Sequence, residues 1–270
     1  MRFIQLSDLH IGKSTNFDKV GEVIDWIIAE KDLHEARVVA ISGDTVDDGA
    51  RWQFDLARGE IERLRDAGFT VLIAPGNHDY GPQGVAERKK SQEWFAELIS
   101  GVKDYPHLEV VSGTAFVVLD SMKAEIENIE FWGAQGELGR KQLQHLDKLL
   151  DELADNPAVE NVVLLMHHHP FDYKFYHGLR DHADLKGVVS RRMNQPPRVN
   201  ALIFGHKHLD KRFNDPEENK ESLFGIDLIY ASGQTVERGR DGGLTIPVID
   251  LNQNKIQRYS TSGDISTQAV

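Results

Sequence analysis

The sequence contains no cysteine among its 270 residues, so it can form neither a disulfide bond nor a thiolate metal site. This absence fits a reducing compartment, and we expect a cytoplasmic protein. No apolar run approaches the roughly 20 residues that span a bilayer, and no charged-then-apolar leader opens the chain. Basic residues are also in deficit, with 31 Lys and Arg against 43 Asp and Glu and a formal net charge of −12. Binding to a nucleic-acid polymer is therefore not expected, because that affinity comes from Lys and Arg displacing counterions.

Short apolar runs alternate along the chain with amphipathic segments, and hydrophobic residues make up 40% of the sequence, enough for a sizeable core. The runs predicted as strands are 3–6, 38–41, 71–74, 116–119, 162–166, 202–204 and 228–230. Apolar residues at helical spacing within 20–28 and 143–153 predict helices that cover a sheet. Strand-like pieces after about residue 222 predict antiparallel pairing that completes a sheet. We predict one α/β domain over 1–260 and a flexible tail at 261–270.

Five of the apolar runs lead directly into polar clusters rich in Asp and His. The clusters are Ser7-Asp8-Leu9-His10, Gly43-Asp44, Gly76-Asn77-His78-Asp79, His167-His168-His169-Pro170 and Gly205-His206-Lys207-His208. Because the carboxyl ends of neighbouring parallel strands line one crevice, we expect the clusters to converge. Carboxylate, amide oxygen and imidazole suit a hard or borderline divalent metal. Each cluster alone is commonly a turn or a surface histidine run, but five in succession at strand ends predict a metal site.

The spacing within the clusters also favours metal binding. Asp8 and His10 are two residues apart, as are His206 and His208, and in an extended segment each pair projects from the same side. The glycines that precede Asp44, Asn77 and His206 permit sharp turns at the strand ends. Both members of each pair are therefore expected to reach one site.

This series of motifs resembles the calcineurin-like metallophosphoesterase superfamily, whose signature is Asp-x-His, Gly-Asp, Gly-Asn-His-Asp or Gly-Asn-His-Glu, a His, and Gly-His-x-His. All five blocks occur in order from residue 8 to residue 208, about three quarters of the chain. The resemblance implies a four-layer α/β/β/α sandwich of two mixed β-sheets flanked by helices, with the site at one rim. The Ser7-Asp8-Leu9-His10 opening, Gly136-Glu137-Leu138-Gly139 and His-His-His-Pro are most similar to bacterial class III cyclic-nucleotide and glycerophosphodiester phosphodiesterases.

The resemblance implies two divalent or mixed-valence metal ions, with manganese, iron and zinc as candidates. Asp8, His10 and His208 would hold one ion, Asn77, His167 and His206 would hold the other, and Asp44 would bridge them. His78 would be the catalytic histidine, and Asp79 would orient its imidazole or else cap the following turn. The family's ligand usually opens the histidine block, which favours His167. His169 shares the same face of a regular strand and is the alternative, whereas His168 would point the other way.

The function implied by the resemblance is hydrolysis of a small phosphodiester, either a cyclic nucleotide or a glycerophosphodiester, by a hydroxide generated at the two metals. Alternatives on the same fold are a phosphomonoesterase, a pyrophosphohydrolase and a non-catalytic metal-binding scaffold. His169, Tyr173, His177 and His182 are candidates for a rim that selects substrate, with a plain surface loop as the alternative. The expected partner is a small phosphoester, with no nucleic-acid polymer and no membrane. Relatives of this type commonly form homodimers, although no segment marks an interface.

Overall fold

The computed structural model describes residues 1–81, 85–122, 135–171, 178–192, 198–213 and 224–263, with the side chains of 85–87 excepted. The described strands are β1 (Arg2–Leu6), β2 (Val38–Ile41), β3 (Thr70–Ile73), β4 (His107–Val111), β5 (Thr114–Val118), β6 (Asn161–Leu165), β7 (Val199–Phe204), β8 (Lys211–Arg212), β9 (Leu228–Ala231), β10 (Thr245–Asp250) and β11 (Lys255–Ser260). The described helices are α1 (Asn16–Ala29), α2 (Lys31–His34), α3 (Arg51–Asp66), α4 (Val85–Trp94), α5 (Arg140–Ala154) and α6 (His182–Ser190), and a π-helical segment, Phe95–Ser100, continues α4.

The strands form two mixed sheets. The first has the order β11-β10-β1-β2-β3, in which β1, β2 and β3 are parallel and β10 and β11 pair antiparallel. The second has the order β4-β5-β6-β7-β9-β8, in which β5, β6, β7 and β9 are parallel and the short edge strands are antiparallel. The prediction that the C-terminal strands complete a sheet by antiparallel pairing is confirmed.

Alternation along the strands separates an inner core from two outer cores. Phe3 of β1 packs between the sheets, with its ring 5.3 Å from that of Phe116 at an interplanar angle of 89°, whereas Ile4 and Leu6 pack towards the helices. The helices α1 and α3 cover the first sheet, and α5 and α6 cover the second. A fully buried leucine such as Leu146 of α5 contributes roughly 1.5–3 kcal/mol of burial free energy. The predicted four-layer α/β/β/α sandwich is confirmed.

The parallel strands of both sheets deliver the polar clusters to one edge of the sandwich. The strands β1, β2 and β3 of the first sheet, and β6 and β7 of the second, each end just before one of the five clusters. The expected convergence is thus produced by the carboxyl ends of two facing sheets rather than by one open sheet.

The chain is still paired with the first sheet at the point where the flexible tail was predicted to begin. The Thr261 amide donates a hydrogen bond to the Leu244 carbonyl at 3.0 Å. Residues 264–270 of the predicted tail lie outside the described residues. Within the described ranges, none of the helices combines the length and apolar character needed to cross a membrane.

Candidate metal centre

Side chains from the five clusters meet at the shared edge of the two sheets. Three groups have ligand atoms that all lie within 4.8 Å of one another: Asp8, His10 and His208; His10, Asp44 and His78; and Asp44, His167 and His206. Asp44 belongs to two of the groups and connects the two ends of the site. The structure therefore gathers carboxylates and imidazoles from β1, β2, β6 and β7 into one continuous cluster.

The ring of His167 is the centre of one half of the site. Its Nε2 lies 3.2 Å from Asp44 Oδ2, 3.1 Å from Asn77 Oδ1 and 3.2 Å from His206 Nδ1. Ligand atoms at about 2.1 Å from one ion are roughly 3.0–3.5 Å apart, so this spacing fits a shared cation. The Nδ1 of His167 donates to the Ser42 carbonyl at 2.8 Å, which turns Nε2 towards the cluster.

The other two consecutive histidines do not face Asp44. His168 is hydrogen-bonded through Nδ1 to Ser121 Oγ at 2.7 Å, and its ring lies behind that of His206 with centroids 4.5 Å apart. His169 is completely buried, and its ring lies 4.7 Å from that of Phe204. Burial lowers the pKa of His169 to about 3, which keeps the imidazole neutral. The prediction of His169 as a solvent-facing rim residue is therefore wrong.

The second half of the site contains buried polar atoms without hydrogen bonds. Asp8 Oδ1 lies 3.4 Å from His208 Nε2, and His10 Nε2 lies 3.9 Å from Asp44 Oδ2. Among the described residues, Asp8 Oδ1 and both ring nitrogens of His10 are buried with no hydrogen-bond partner. Unpaired buried polar atoms are unfavourable unless another group satisfies them. A bound cation does so here, and the nitrogen and oxygen donors suit manganese, iron or zinc.

The backbone at the cluster is left-handed rather than extended. Five of the predicted ligands have φ between 44° and 75°, namely Asp8, His10, Asp44, His206 and His208. The argument from alternation along an extended segment is therefore wrong. Left-handed backbone in a non-glycine residue costs about 1–3 kcal/mol unless the surroundings support it. Here the amide of Asp8 donates to the Gly43 carbonyl at 3.1 Å, and that of His10 donates to the Asp44 carbonyl at 3.0 Å.

Two glycines are required by close approach rather than by turning. Neither Gly76 nor Gly205 has a positive φ. A Cβ at Gly76 would lie 2.9 Å from Asp44 Cγ and would overlap that residue's Oδ1 and amide nitrogen. A Cβ at Gly205 would lie 2.7 Å from Asp8 Oδ2 and would overlap Ser7 Oγ. These two positions let separate strand ends bring their carboxylates into contact.

Electrostatics tie Asp44 to His167. Burial opposes ionisation of both groups, but their attraction prevails, lowering the pKa of Asp44 far below its usual range and raising the pKa of His167 to about 9. Without a cation, His167 is thus protonated at neutral pH. Burial lowers the pKa of His206 and of His10, leaving both imidazoles neutral. A dication at this place substitutes for the proton on His167.

The predicted orientation of His78 by Asp79 is wrong. The completely buried carboxylate of Asp79 instead accepts hydrogen bonds from the amides of Val46 at 3.0 Å and Gly76 at 2.9 Å. Burial, reinforced by Asp44, raises the pKa of Asp79 to about 8. Asp79 therefore fastens the ends of β2 and β3 together, as the alternative of a turn-capping role had implied.

The residue that orients His78 is Asp47, through its main chain. The His78 Nδ1 donates to the Asp47 carbonyl at 2.5 Å, so its Nε2 faces away from that contact. The side-chain Oδ1 of Asp47 also lies 3.3 Å from His10 Nδ1. The sequence gave no reason to choose Asp47 beyond its proximity to Asp44, because a backbone carbonyl acceptor has no residue-type signature.

The remaining predicted rim residues do not reach a described ligand. His182 is the first residue of α6, where its Nδ1 donates to the Leu179 carbonyl at 3.0 Å. Tyr173 and His177 lie outside the described residues. Gly136 is explained by packing, because a Cβ there would lie 2.5 Å from His168 Cγ.

The fold and the cluster define a protein with a dinuclear metal centre of nitrogen and oxygen ligands on a four-layer sandwich. Residues 1–210 match the family model described as calcineurin-like phosphoesterase, and the chain belongs to this family. Membership indicates a metal-dependent phosphoric ester hydrolase. No curated protein sequence shows a significant match.

Solved structures share the fold at low sequence identity. A dimetal phosphatase from Danio rerio superposes with a TM-score of 0.65 at 16% identity over 96% of this chain and 95% of that chain. The purple acid phosphatase PPD1 from yellow lupin (Lupinus luteus) seeds superposes with a TM-score of 0.63 at 14% identity over 98% of this chain and 52% of that chain. GAP50, the anchor in the inner membrane complex of Plasmodium, superposes with a TM-score of 0.54 at 14% identity over 98% and 86%.

Proposed function

We propose that the chain is a dinuclear metal-dependent phosphodiesterase that hydrolyses small phosphodiesters. The observation that carries the proposal is the position of Asp44, whose carboxylate lies between the His10 side and the His167 side of the cluster. In this assignment Asp8, His10 and His208 hold one ion, Asn77, His167 and His206 hold the other, and Asp44 bridges them. Two divalent ions, when bound, supply activation of water and polarisation of phosphoryl oxygens.

His78 is the proton donor in the proposed reaction. Its Nδ1–H is held by the Asp47 carbonyl, and its ring is only half-buried, 4.6 Å from the ring of His10. The carbonyl stabilises the imidazolium form because it accepts a hydrogen bond from the protonated ring. The protonated Nε2 then delivers its proton to the departing alkoxide of the substrate. Asp47 thus positions the acid, while Asp79 fixes the strand ends on which both stand.

Charge around the cluster favours a diester over a monoester. A phosphodiester carries one negative charge and a phosphomonoester up to two. The carboxylate of Asp47 lies 3.3 Å from His10 Nδ1, Asp210 follows His208 by two residues, and Lys207 is the cation between the two ligand histidines. With a formal net charge of −12 over the whole chain, the less charged substrate meets less repulsion.

Two alternatives have specific support. A phosphomonoesterase is favoured by the names of the superposed Danio rerio and lupin proteins, both described as phosphatases. A non-catalytic scaffold is favoured by the likeness to GAP50, described as an anchor. Against the scaffold, every position of the family's metal motif carries a side chain able to bind a metal.

The test compares bis(4-nitrophenyl) phosphate with 4-nitrophenyl phosphate, using manganese-loaded protein, with cyclic AMP and glycerophosphocholine in the same panel. We expect a clear preference for the diester. Preference for the monoester would move the assignment to a phosphatase. Bound manganese without turnover of any substrate would support the scaffold.

A further inference from the structure

A cavity of about 230 Å³ opens beside His208, the most exposed of the proposed ligands. Its walls come from the segment after β7, the segment after β9 and the start of β10, and they include Asp210, Gln234, Glu237 and Thr245. Because His208 forms one wall, a substrate whose phosphorus lies at the metal centre has an ester group within reach of this space.

We propose that this cavity receives one ester group of the substrate and selects a small, polar alcohol that donates hydrogen bonds, of the glycerol or ethanolamine kind, over a nucleoside. The inference rests on the proposed phosphodiesterase function and narrows its substrate class. It assigns a specificity role to a part of the chain, residues 232–247, that lies beyond the metal motifs.

The size and lining of the cavity favour a small polar group. Sites for drug-sized ligands occupy roughly 300–1,000 Å³ and are lined mainly by apolar and aromatic side chains. This cavity is smaller, and in the part of the wall that the structure describes, the imidazole of His208 is the one aromatic ring and Pro247 the one bulky apolar residue. A purine base would find no broad face on which to stack, whereas Gln234 and Thr245 offer hydrogen bonds.

The charges at the cavity favour a neutral or cationic group. Asp210 is already held by Arg258 through contacts of 2.7 and 2.6 Å and by the Tyr230 hydroxyl at 2.7 Å. Arg238 is paired with Glu22 at 2.7 Å. Within the described chain, the carboxylate of Glu237 has no ion-pair partner. The cavity therefore carries an uncompensated negative charge that attracts an ammonium or hydroxyl group and repels a second phosphate.

Thr245 provides a perturbation with a matched control. It lies at the start of β10, opposite Ser260 of β11, and is half-buried. Phenylalanine at this position would occupy part of the cavity. Thr70 is the counterpart in a second cavity of about 310 Å³, where it begins β3 at the end away from the metal cluster. Thr70→Phe makes the same chemical change without approaching His208.

The experiment measures kcat/KM of the manganese-loaded protein for glycerophosphoethanolamine, glycerophosphoglycerol, cyclic AMP and methyl 4-nitrophenyl phosphate. We expect the wild type to prefer the two glycerophosphodiesters to cyclic AMP by about tenfold or more, as for a pocket that hydrogen-bonds its substrate. Thr245→Phe should lower the rate for glycerophosphoethanolamine relative to the methyl ester by about tenfold. Thr70→Phe should leave that ratio unchanged. Glu237→Gln, an exposed substitution that does not threaten folding, should lower ethanolamine over glycerol preference several-fold.

The outcomes separate the two levels of the proposal. A wild type that hydrolyses the methyl ester but prefers cyclic AMP, or whose ratios do not respond to Thr245→Phe and Glu237→Gln, overturns the assignment of the cavity alone. A wild type that binds manganese and hydrolyses none of the four diesters overturns the phosphodiesterase function, and the cavity assignment with it.

Discussion

A single methyl group at Gly76 should disable the metal centre, because this residue stands against the bridging carboxylate. In Gly76→Ala, the new Cβ would overlap the Oδ1 and the amide nitrogen of Asp44 and lie 2.9 Å from its Cγ. The amide is backbone, so a change of rotamer cannot relieve the overlap. Either Asp44 or the end of β3 must move by about 1 Å to restore ordinary contact.

The expected loss follows from that displacement. Disturbing the groups that orient metal ligands typically costs about 10- to 100-fold in metal affinity. Misplacement of catalytic groups by about 1 Å costs about 100-fold in rate. We therefore expect manganese affinity in Gly76→Ala to fall by at least tenfold at both sites, because both use Asp44, and kcat/KM for bis(4-nitrophenyl) phosphate to fall further. Metal content after gel filtration and a manganese titration of activity measure the two effects.

Gly59→Ala is the matched control. Gly59 lies within α3, has no positive φ, and an added Cβ there meets nothing within 4 Å. Alanine in a helix interior is more stable than glycine by about 0.5–1 kcal/mol, so this variant should melt slightly higher and keep full activity. Circular dichroism of metal-free Gly76→Ala separates a displaced ligand from an unfolded chain. Manganese affinity and turnover in a folded Gly76→Ala equal to those of Gly59→Ala would refute the reasoning.

Three further predictions test the site and the core. Asp44→Ala should lose both metals, whereas His78→Ala should keep them and lose about 10²- to 10⁴-fold in turnover, as for removal of a general acid, so full metal occupancy in purified Asp44→Ala would count against the bridging role. At pH 7.5 metal binding should release about one proton, because the pKa of His167 is raised to about 9 in the metal-free protein; calorimetry in buffers of different ionisation enthalpy measures it, and no release would contradict this pairing. Burial lowers the pKa of His34 below its ordinary value, so the unfolded chain takes up the proton first and stability should fall below about pH 6.5 by at most about 1.4 kcal/mol per pH unit; urea unfolding at pH 7 and pH 5 should show a smaller fall in His34→Asn, and equal falls would contradict it.

The metal motifs were readable in the sequence because each is local. Asp8 and His10 follow directly on β1, and His206 and His208 follow directly on β7, so residue type and position relative to an apolar run were sufficient. The roles around them were not readable. Asp79 accepts hydrogen bonds from two backbone amides, and Asp47 holds His78 through a carbonyl, and neither contact depends on a residue type that could be recognised.

Edge elements were also missed, for a different physical reason. The strand β4 was not predicted because Leu108 is only partly buried and Val110 is 44% exposed, which leaves no apolar run. It forms by antiparallel pairing with β5, a contact that supplies backbone hydrogen bonds regardless of side-chain pattern. The helix α3 gave a weak pattern because Trp52 and Leu56 are exposed among its buried residues Phe54 and Ile61.

The sequence by itself determined which donor atoms stand at the strand ends, their order, and the alternation of strands and helices. These properties depend on neighbours within a few residues, through strand periodicity and the exclusion of apolar side chains from water. Only the tertiary structure decided that ligands from two different sheets meet, that Asp44 lies between the two halves, and that His167 rather than its neighbours faces it. Those outcomes depend on how the sheets pack, because burial and charge act between residues such as Asp44 and His167 that are far apart along the chain.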